Sequence, residues 1–172
     1  LQRQVLFNHY DIGLPKATCA AKFIARLNPD CKVTPIVARL TADNAQNLIE
    51  AHDVIADGCD NFTTRFLVND ACYFAGKPLV SAAVGRFDGQ LTTFKAYEND
   101  AKGTPYPCYR SFVSDDMRAS EAADCETTGI IGALTGIMGS LQALEVIKEI
   151  TGAGESLACL LYTSPSPRDI PL

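Results

Sequence analysis

The strongest constraint in this chain is a strand–helix–strand unit followed at once by a hairpin. Val54-Ile55-Ala56-Asp57 is a short apolar run that stops at Gly58, the pattern of a strand buried on both faces. Thr63 to Ala75 then places Leu67, Val68, Ala71, Cys72 and Ala75 on one helical face. Pro78 to Val84 returns to a strand pattern, and the tight Asp88-Gly89 turn leads directly into another, Gln90 to Tyr97. A crossover through a helix makes the first pair parallel, whereas a tight turn makes the second antiparallel. The fold class this implies is α/β and Rossmann-like, a mostly parallel sheet with a C-terminal antiparallel portion.

Around this unit the pattern extends in both directions. From Pro15 to Asn28, Ala20, Phe23, Ile24 and Leu27 recur at helical spacing, with Pro15 suited to the first position and Pro29 ending the run. Val33 to Leu40 is β-branched and is expected to be a strand, and Asn44 to His52 a helix. Between Glu98 and Asp124, Gly103, Pro105 and Pro107 mark a long crossover loop. From Thr127 to about Ile150 a long core helix is expected, and Gly129, Gly132, Gly136 and Gly139 along it suggest close packing. The segment Ser164 to Pro171, with its Ser-Pro repeats, changes character and is expected to lie outside the fold.

With 172 residues, 47% of them apolar, the chain can bury a real core, which excludes disorder. A net charge of −5 without a Lys/Arg run excludes a general nucleic-acid backbone binder, because such affinity rests on clustered cations. The apolar stretch Gly129 to Leu141 falls short of the roughly 20 residues a membrane span needs. Seven scattered cysteines without a C-x-x-C pair suit a reducing compartment, so a cytoplasmic protein is expected.

In a doubly wound sheet the ligand site lies beyond the carboxyl ends of the strands, which directs attention to Asp60-Asn61. Two readings stand for this pair. Either residue can cap the following helix, and a lone strand-end carboxylate also suits Mg²⁺ held jointly with substrate phosphates. Arg3, Lys16 and Arg65 are cations near element boundaries that could meet such phosphates, or are solvated surface charges. Cys125 precedes the long helix, where the dipole lowers a thiol pKa, but Asp124 and Glu126 oppose a standing thiolate. No phosphate-cradling G-x-x-x-x-G-K-[ST] loop is present, and His9 and His52 have no metal-ligand spacing.

Taken in order, several segments resemble the ThiF/MoeB/HesA family, relatives of the ubiquitin-activating enzymes. They are Leu1-Gln2-Arg3-Gln4, Gly13-Leu14-Pro15-Lys16-Ala17, Asn28-Pro29, Asp57 through Arg65, Asn69-Asp70, Pro78-Leu79-Val80-Ser81, Gly85 through Gln90, Cys108-Tyr109-Arg110 and Gly139 through Glu145. The resemblance covers residues 1 to 157. It implies adenylation of the C-terminal glycine of a ubiquitin-like sulfur carrier of MoaD or ThiS type, with ATP and Mg²⁺ as cofactors. Molybdopterin synthesis, thiamine synthesis and tRNA thiolation all fit that activity, and a homodimer is expected. By the same resemblance Arg3 and Lys16 meet phosphates, with Gln4 beside Arg3 at the nucleotide. Asp60 holds the magnesium, Asn61 lies beside it, and Arg65 is close to that site. Cys125 matches a cysteine that in some members links to the carrier or passes sulfur on.

The chain departs from the family pattern in three ways. The glycine-rich loop and the ribose-binding acid belong upstream of Leu1, so the first βαβ unit and half of the nucleotide site are expected to be missing. A structural zinc is not expected, because Ser111 stands where the second cysteine of a C-x-x-C pair beginning at Cys108 would be. Residues 158–172 are expected to form a non-family tail. Two other functions compete: a non-catalytic docking subunit of a split activating enzyme, and an NAD-dependent oxidoreductase. Joint retention of Arg3, Lys16 and Asp60 argues against the former, and the lack of a dinucleotide fingerprint against the latter.

Overall fold

The computed structural model describes residues 4–113 and 129–164, and the chain separates into two units, Leu1–Arg39 and Leu40–Leu172. In the first unit Asn8 opens a 3-10 turn, His9–Asp11. Its Oδ1 accepts from the Tyr10 N–H at 2.9 Å, while Asp11 Oδ2 accepts from the Asn8 N–H at 2.9 Å. Both bonds satisfy donors that a helical start leaves without partners. Helix α1, Lys16–Leu27, follows Pro15 and buries Cys19. Asn28 ends it, its side chain accepting from the Asp30 N–H at 3.0 Å in a turn that steers the chain away.

The strand expected over residues 33–40 is not formed. A β-branched run becomes a strand only where a neighbour supplies ladder partners, and none of the described strands pairs with it. Pro35 also removes a donor from its middle.

The second unit begins with helix α2, Ala42–Glu50, opened by a capping box in which Asn44 Oδ1 accepts from the Thr41 N–H at 2.9 Å. Strand β1, Ile55–Asp57, helix α3, Phe62–Ala75, strand β2, Leu79–Val84, and strand β3, Gly89–Phe94, follow as the sequence pattern requires. A one-turn helix α4, Tyr109–Phe112, lies within the expected crossover loop. The long helix α5, Gly132–Thr151, starts later than expected, because Gly129, Ile130 and Ile131 are not helical. The sheet order is β1-β2-β3-β4, with β4 formed by Tyr162–Ser164. β1 and β2 are parallel, with Ile55 opposite Leu79, whereas β2–β3 and β3–β4 are antiparallel. The α/β class and the parallel-then-antiparallel order stand, the parallel part being a single ladder among the described strands. Of the end expected to lie outside the fold, Ser164 is described, as the last residue of β4, where it pairs with Gly89; residues 165–171 lie outside the described residues.

Alternation along the strands separates two cores. Leu79 and Phe94 pack with Phe66, Ala71 and Cys72 of α3 and with Ala45 and Ile49 of α2. On the other side Val80, Ala82 and Leu91 pack with Leu134 and Met138 of α5. Gly89 has a steric reason to be glycine, since a Cβ there would come within 2.6 Å of Met138 Sδ. Gly136 and Gly139 have none among the described residues: a Cβ on either meets nothing there within 4 Å, so packing against those residues does not explain them.

One buried charge ties α5 to the sheet. Glu145 is 1% exposed, and its Oε1 accepts from Thr93 Oγ1 at 2.8 Å and from the Leu157 N–H at 2.6 Å. Lys148, one turn on, pairs with its other oxygen. Burial alone would raise the carboxyl pKa, but these three partners hold it below the ordinary value of 4.5.

Candidate active site

The carboxyl end of β1 is built around a buried ion pair. Asp57, 3% exposed, ends the strand, and Arg65, 8% exposed, enters from the first turn of α3. Arg65 Nη1 donates to Asp57 Oδ2 at 3.0 Å and to Ser81 Oγ at 3.2 Å, and Ser81 Oγ also donates to Asp57 Oδ2 at 3.2 Å. Arg65 Nη2 donates to the carbonyls of Cys59 at 2.5 Å and Ala82 at 2.9 Å. The remaining Asp57 oxygen accepts from the Cys59 N–H at 2.8 Å. One carboxylate and one guanidinium thus fix both backbone groups of Cys59, and with them the turn from Gly58 to Asn61. Such a pair is tolerable when buried because its lone pairs and protons are all but used up within the cluster.

This turn presents Asp60 and Asn61, both exposed. Asn61 is the N-cap of α3, its Oδ1 accepting from the Thr64 N–H at 2.8 Å, and its Nδ2 donates to Asp60 Oδ1 at 3.1 Å. The two readings of this pair are therefore compatible: Asn61 caps, and in doing so orients the Asp60 carboxylate. Hard oxygen donors outside an acidic cluster suit Mg²⁺, which is held by one or two carboxylates together with substrate phosphates. Among the described residues no group of three or more His, Cys, Asp or Glu comes together to hold a metal without such help.

Of the other expected site residues, Lys16 and Gln4 are described, both in the first unit. Lys16 is the first residue of α1, exposed, and lines an open groove with Pro15, Ala17 and residues 36–39 of the same unit. Gln4 is exposed, and its carbonyl accepts from the Phe7 N–H at 3.1 Å. Arg3 and Cys125 lie outside the described residues. Cys59 and Cys72 are no substitutes for Cys125 as thiolates. Burial first, and the nearby Asp57 second, push both thiols up to about 12.

Two further segments of the family pattern act as anchors. Asn69 Oδ1 accepts from the Tyr109 N–H at 2.9 Å, and Arg110 holds Asp70 through Nε at 2.8 Å and Nη2 at 2.5 Å. Tyr109 packs edge-on against Phe66 at 5.2 Å and Phe94 at 5.9 Å, so α4 is fastened to α3 across the core.

Sequence reasoning missed Asp57, Ser81 and Gln142. Gln142 Nε2 donates to the carbonyls of Asp57 at 2.8 Å and Val80 at 2.9 Å. A signal for Asp57 existed: a carboxylate ending a buried strand needs a cation, and Arg65 is the first one after it.

Comparison with known proteins identifies the family. The family model described as the ThiF family matches residues 1–167. The SAMP-activating enzyme E1 of Haloferax volcanii is 41% identical over 157 residues, covering 91% of this chain and 55% of that protein. The sulfur carrier protein adenylyltransferase of Thermus thermophilus is 40% identical, covering 94% and 60%. The adenylyltransferase and sulfurtransferase MOCS3 of Mus musculus is 42% identical, covering 91% and 32%. The chain thus spans 32% to 60% of the length of these relatives. Among solved structures, E. coli MccB with ATP superposes with a TM-score of 0.68 at 19% identity, covering 94% of this chain and 47% of that one. PaaA superposes at 0.69 and 16% identity, covering 95% and 55%. At those identities the likeness is one of fold. The shared fold, the extent of the family match and the relatives near 40% identity lead to one conclusion: the chain belongs to the ThiF family.

Proposed function

We propose that this chain serves an ATP-dependent adenylyltransferase that activates the C-terminal glycine of a ubiquitin-like sulfur-carrier protein. The observation that carries the reading is the exposed Asp60-Asn61 pair on a strand-end turn held by the buried Asp57–Arg65–Ser81 cluster. The names of the relatives, a SAMP-activating enzyme and a sulfur carrier protein adenylyltransferase, support the same class of substrate. Molybdopterin synthesis, thiamine synthesis and tRNA thiolation are the candidate pathways.

The chemistry suits these residues. A carboxylate is already a nucleophile, so its oxygen attacks the α-phosphorus of ATP, the bond to the bridging oxygen breaks, and pyrophosphate leaves. The work left to the protein is positioning and charge neutralisation. Asp60 is the residue that would hold Mg²⁺, which supplies charge for the triphosphate. Asn61 orients Asp60 through their hydrogen bond, and Arg3 and Lys16 meet phosphates, with Gln4 beside them. Arg65 spends its guanidinium on Asp57, Ser81 and two carbonyls, so it serves the nucleotide by fixing the turn. Cys125 is assigned to carrier linkage or sulfur transfer. Exposed Ile137, Leu144 and Ile147 along α5 support a homodimer. Free cysteines at 19, 31, 59, 72, 108 and 159 support a cytoplasmic setting. No helix among the described residues is long and apolar enough to cross a membrane.

The deciding experiment is magnesium-dependent ATP–pyrophosphate exchange by the full-length protein with a MoaD- or ThiS-type carrier added. Carrier-dependent exchange is expected, and the carrier that supports it identifies the pathway. A folded protein that shows no exchange with any carrier overturns the reading in favour of a docking subunit.

A further inference from the structure

Gln142 has no part in the chemistry described above, yet it reaches the back of the site. It lies on α5, 85 positions along the chain from Asp57, and is half-buried. Its Nε2 carries two protons, and the two acceptors are the carbonyls of Asp57 at 2.8 Å and Val80 at 2.9 Å. Those carbonyls belong to neighbouring parallel strands at the point where β1 ends, since Asp57 stands opposite Ser81 and Ala56 opposite Val80. The helix carrying Gln142 is itself immobilised by Leu134, Met138 and Glu145, each buried.

The last residue of β1 is thus gripped on two sides. From the α3 side, Arg65 and Ser81 hold its side chain. From the α5 side, Gln142 holds its carbonyl. The direction in which the chain leaves Asp57 sets where Asp60 stands three residues later.

We propose that Gln142 is a positioning residue for Asp60, fixing the exit of β1 through the Asp57 carbonyl; the role rests on the adenylation reading. Residues that orient a metal ligand from behind commonly change metal affinity about 10- to 100-fold when altered. Gln142→Met keeps the volume and removes both donors.

The test is amide hydrogen exchange on the full-length protein, together with the Mg²⁺ dependence of ATP–pyrophosphate exchange. In Gln142→Met, residues 58–61 are expected to exchange about tenfold faster, with β2 and β3 protected as in wild type. Half-saturating Mg²⁺ is expected to rise about tenfold, and not to change further when Gln142→Met is added to Asp60→Asn. Unchanged protection over residues 58–61, or uniform loosening of the whole sheet, overturns the proposal. If Gln142→Met does not fold, Gln142→Glu, which places an acceptor against both carbonyls at neutral pH, is held to the same two outcomes. A wild-type protein without pyrophosphate exchange defeats the adenylation reading, while the amide measurement still decides whether Gln142 holds the turn.

Discussion

Asp57 and Glu145 are both buried carboxylates paired with a cation, and they lie on opposite sides of one sheet. Asp57 meets Arg65 at the end of β1, where the chain is about to leave the sheet. Glu145 meets Thr93 within β3, Lys148 on its own helix and the N–H of Leu157. The chemistry is alike, but the consequence differs with position. A network at a strand end fixes the geometry of the turn beyond it, where ligands of open α/β sheets bind. A network on a residue within the ladder, such as Thr93 opposite Val80, fastens a helix and a returning segment. Burial and charge alone therefore do not mark a functional site; what they hold in place does.

The comparison can be broken by removing one cation. Arg65→Met leaves Asp57 buried without its partner and should cost about 3–5 kcal/mol in urea unfolding, along with pyrophosphate exchange. A loss below about 1 kcal/mol would mean that the strand end does not depend on the pair.

Asp60→Asn should separate function from stability. Exchange is expected to fall about 100-fold or more, while stability stays within about 0.5 kcal/mol of wild type, because the residue is exposed. Retained exchange would remove Asp60 from the site.

Glu145→Gln sharpens the contrast from the other side. It should lower stability by about 1–3 kcal/mol at neutral pH and leave half-saturating Mg²⁺ unchanged. The folded pKa of Glu145 lies below 4.5, so its contribution is complete above that value and is lost as pH falls through the depressed folded value. Unfolding free energy measured against pH should therefore decline less steeply on the acid side in the variant than in wild type.

The smallest effect is expected at the exposed pair. Arg110 and Asp70 are 46% and 36% exposed at their side chains, and Arg110→Ala should cost less than about 1 kcal/mol in the same urea assay. A larger cost would show that the guanidinium over the Phe66 ring, 4.9 Å away, does more than the ion pair.

Much of the local structure was legible in the residues. Pro15 and Asn28 bracket α1, Asn61 starts α3, and Gly76 ends it in a left-handed conformation at φ +63°. These are short-range effects, in which a side chain or a missing Cβ acts on backbone within one turn. Asp60-Asn61 was legible as well, because it follows a short apolar strand run, although Ala56 within that run is exposed rather than buried. The failures lie where an element needs a distant partner. Residues 33–40 have the composition of a strand and no ladder, while Tyr162–Ser164, which no local pattern marks as a strand, pairs with β3.

The sequence by itself determined the order of helices and strands from α2 to β3, the hairpin after β2 and the family, because periodicity, capping and motif order are properties of neighbouring residues. Tertiary structure alone decided that Arg65 faces Asp57 inside the fold, that Glu145 is buried, and that Gln142 reaches two strand carbonyls. Those outcomes depend on residues 8, 52 and 85 positions apart meeting across packed layers. Whether a charge or an amide ends in water or against a partner is settled by that packing, since a polar group is buried only where its hydrogen bonds are met.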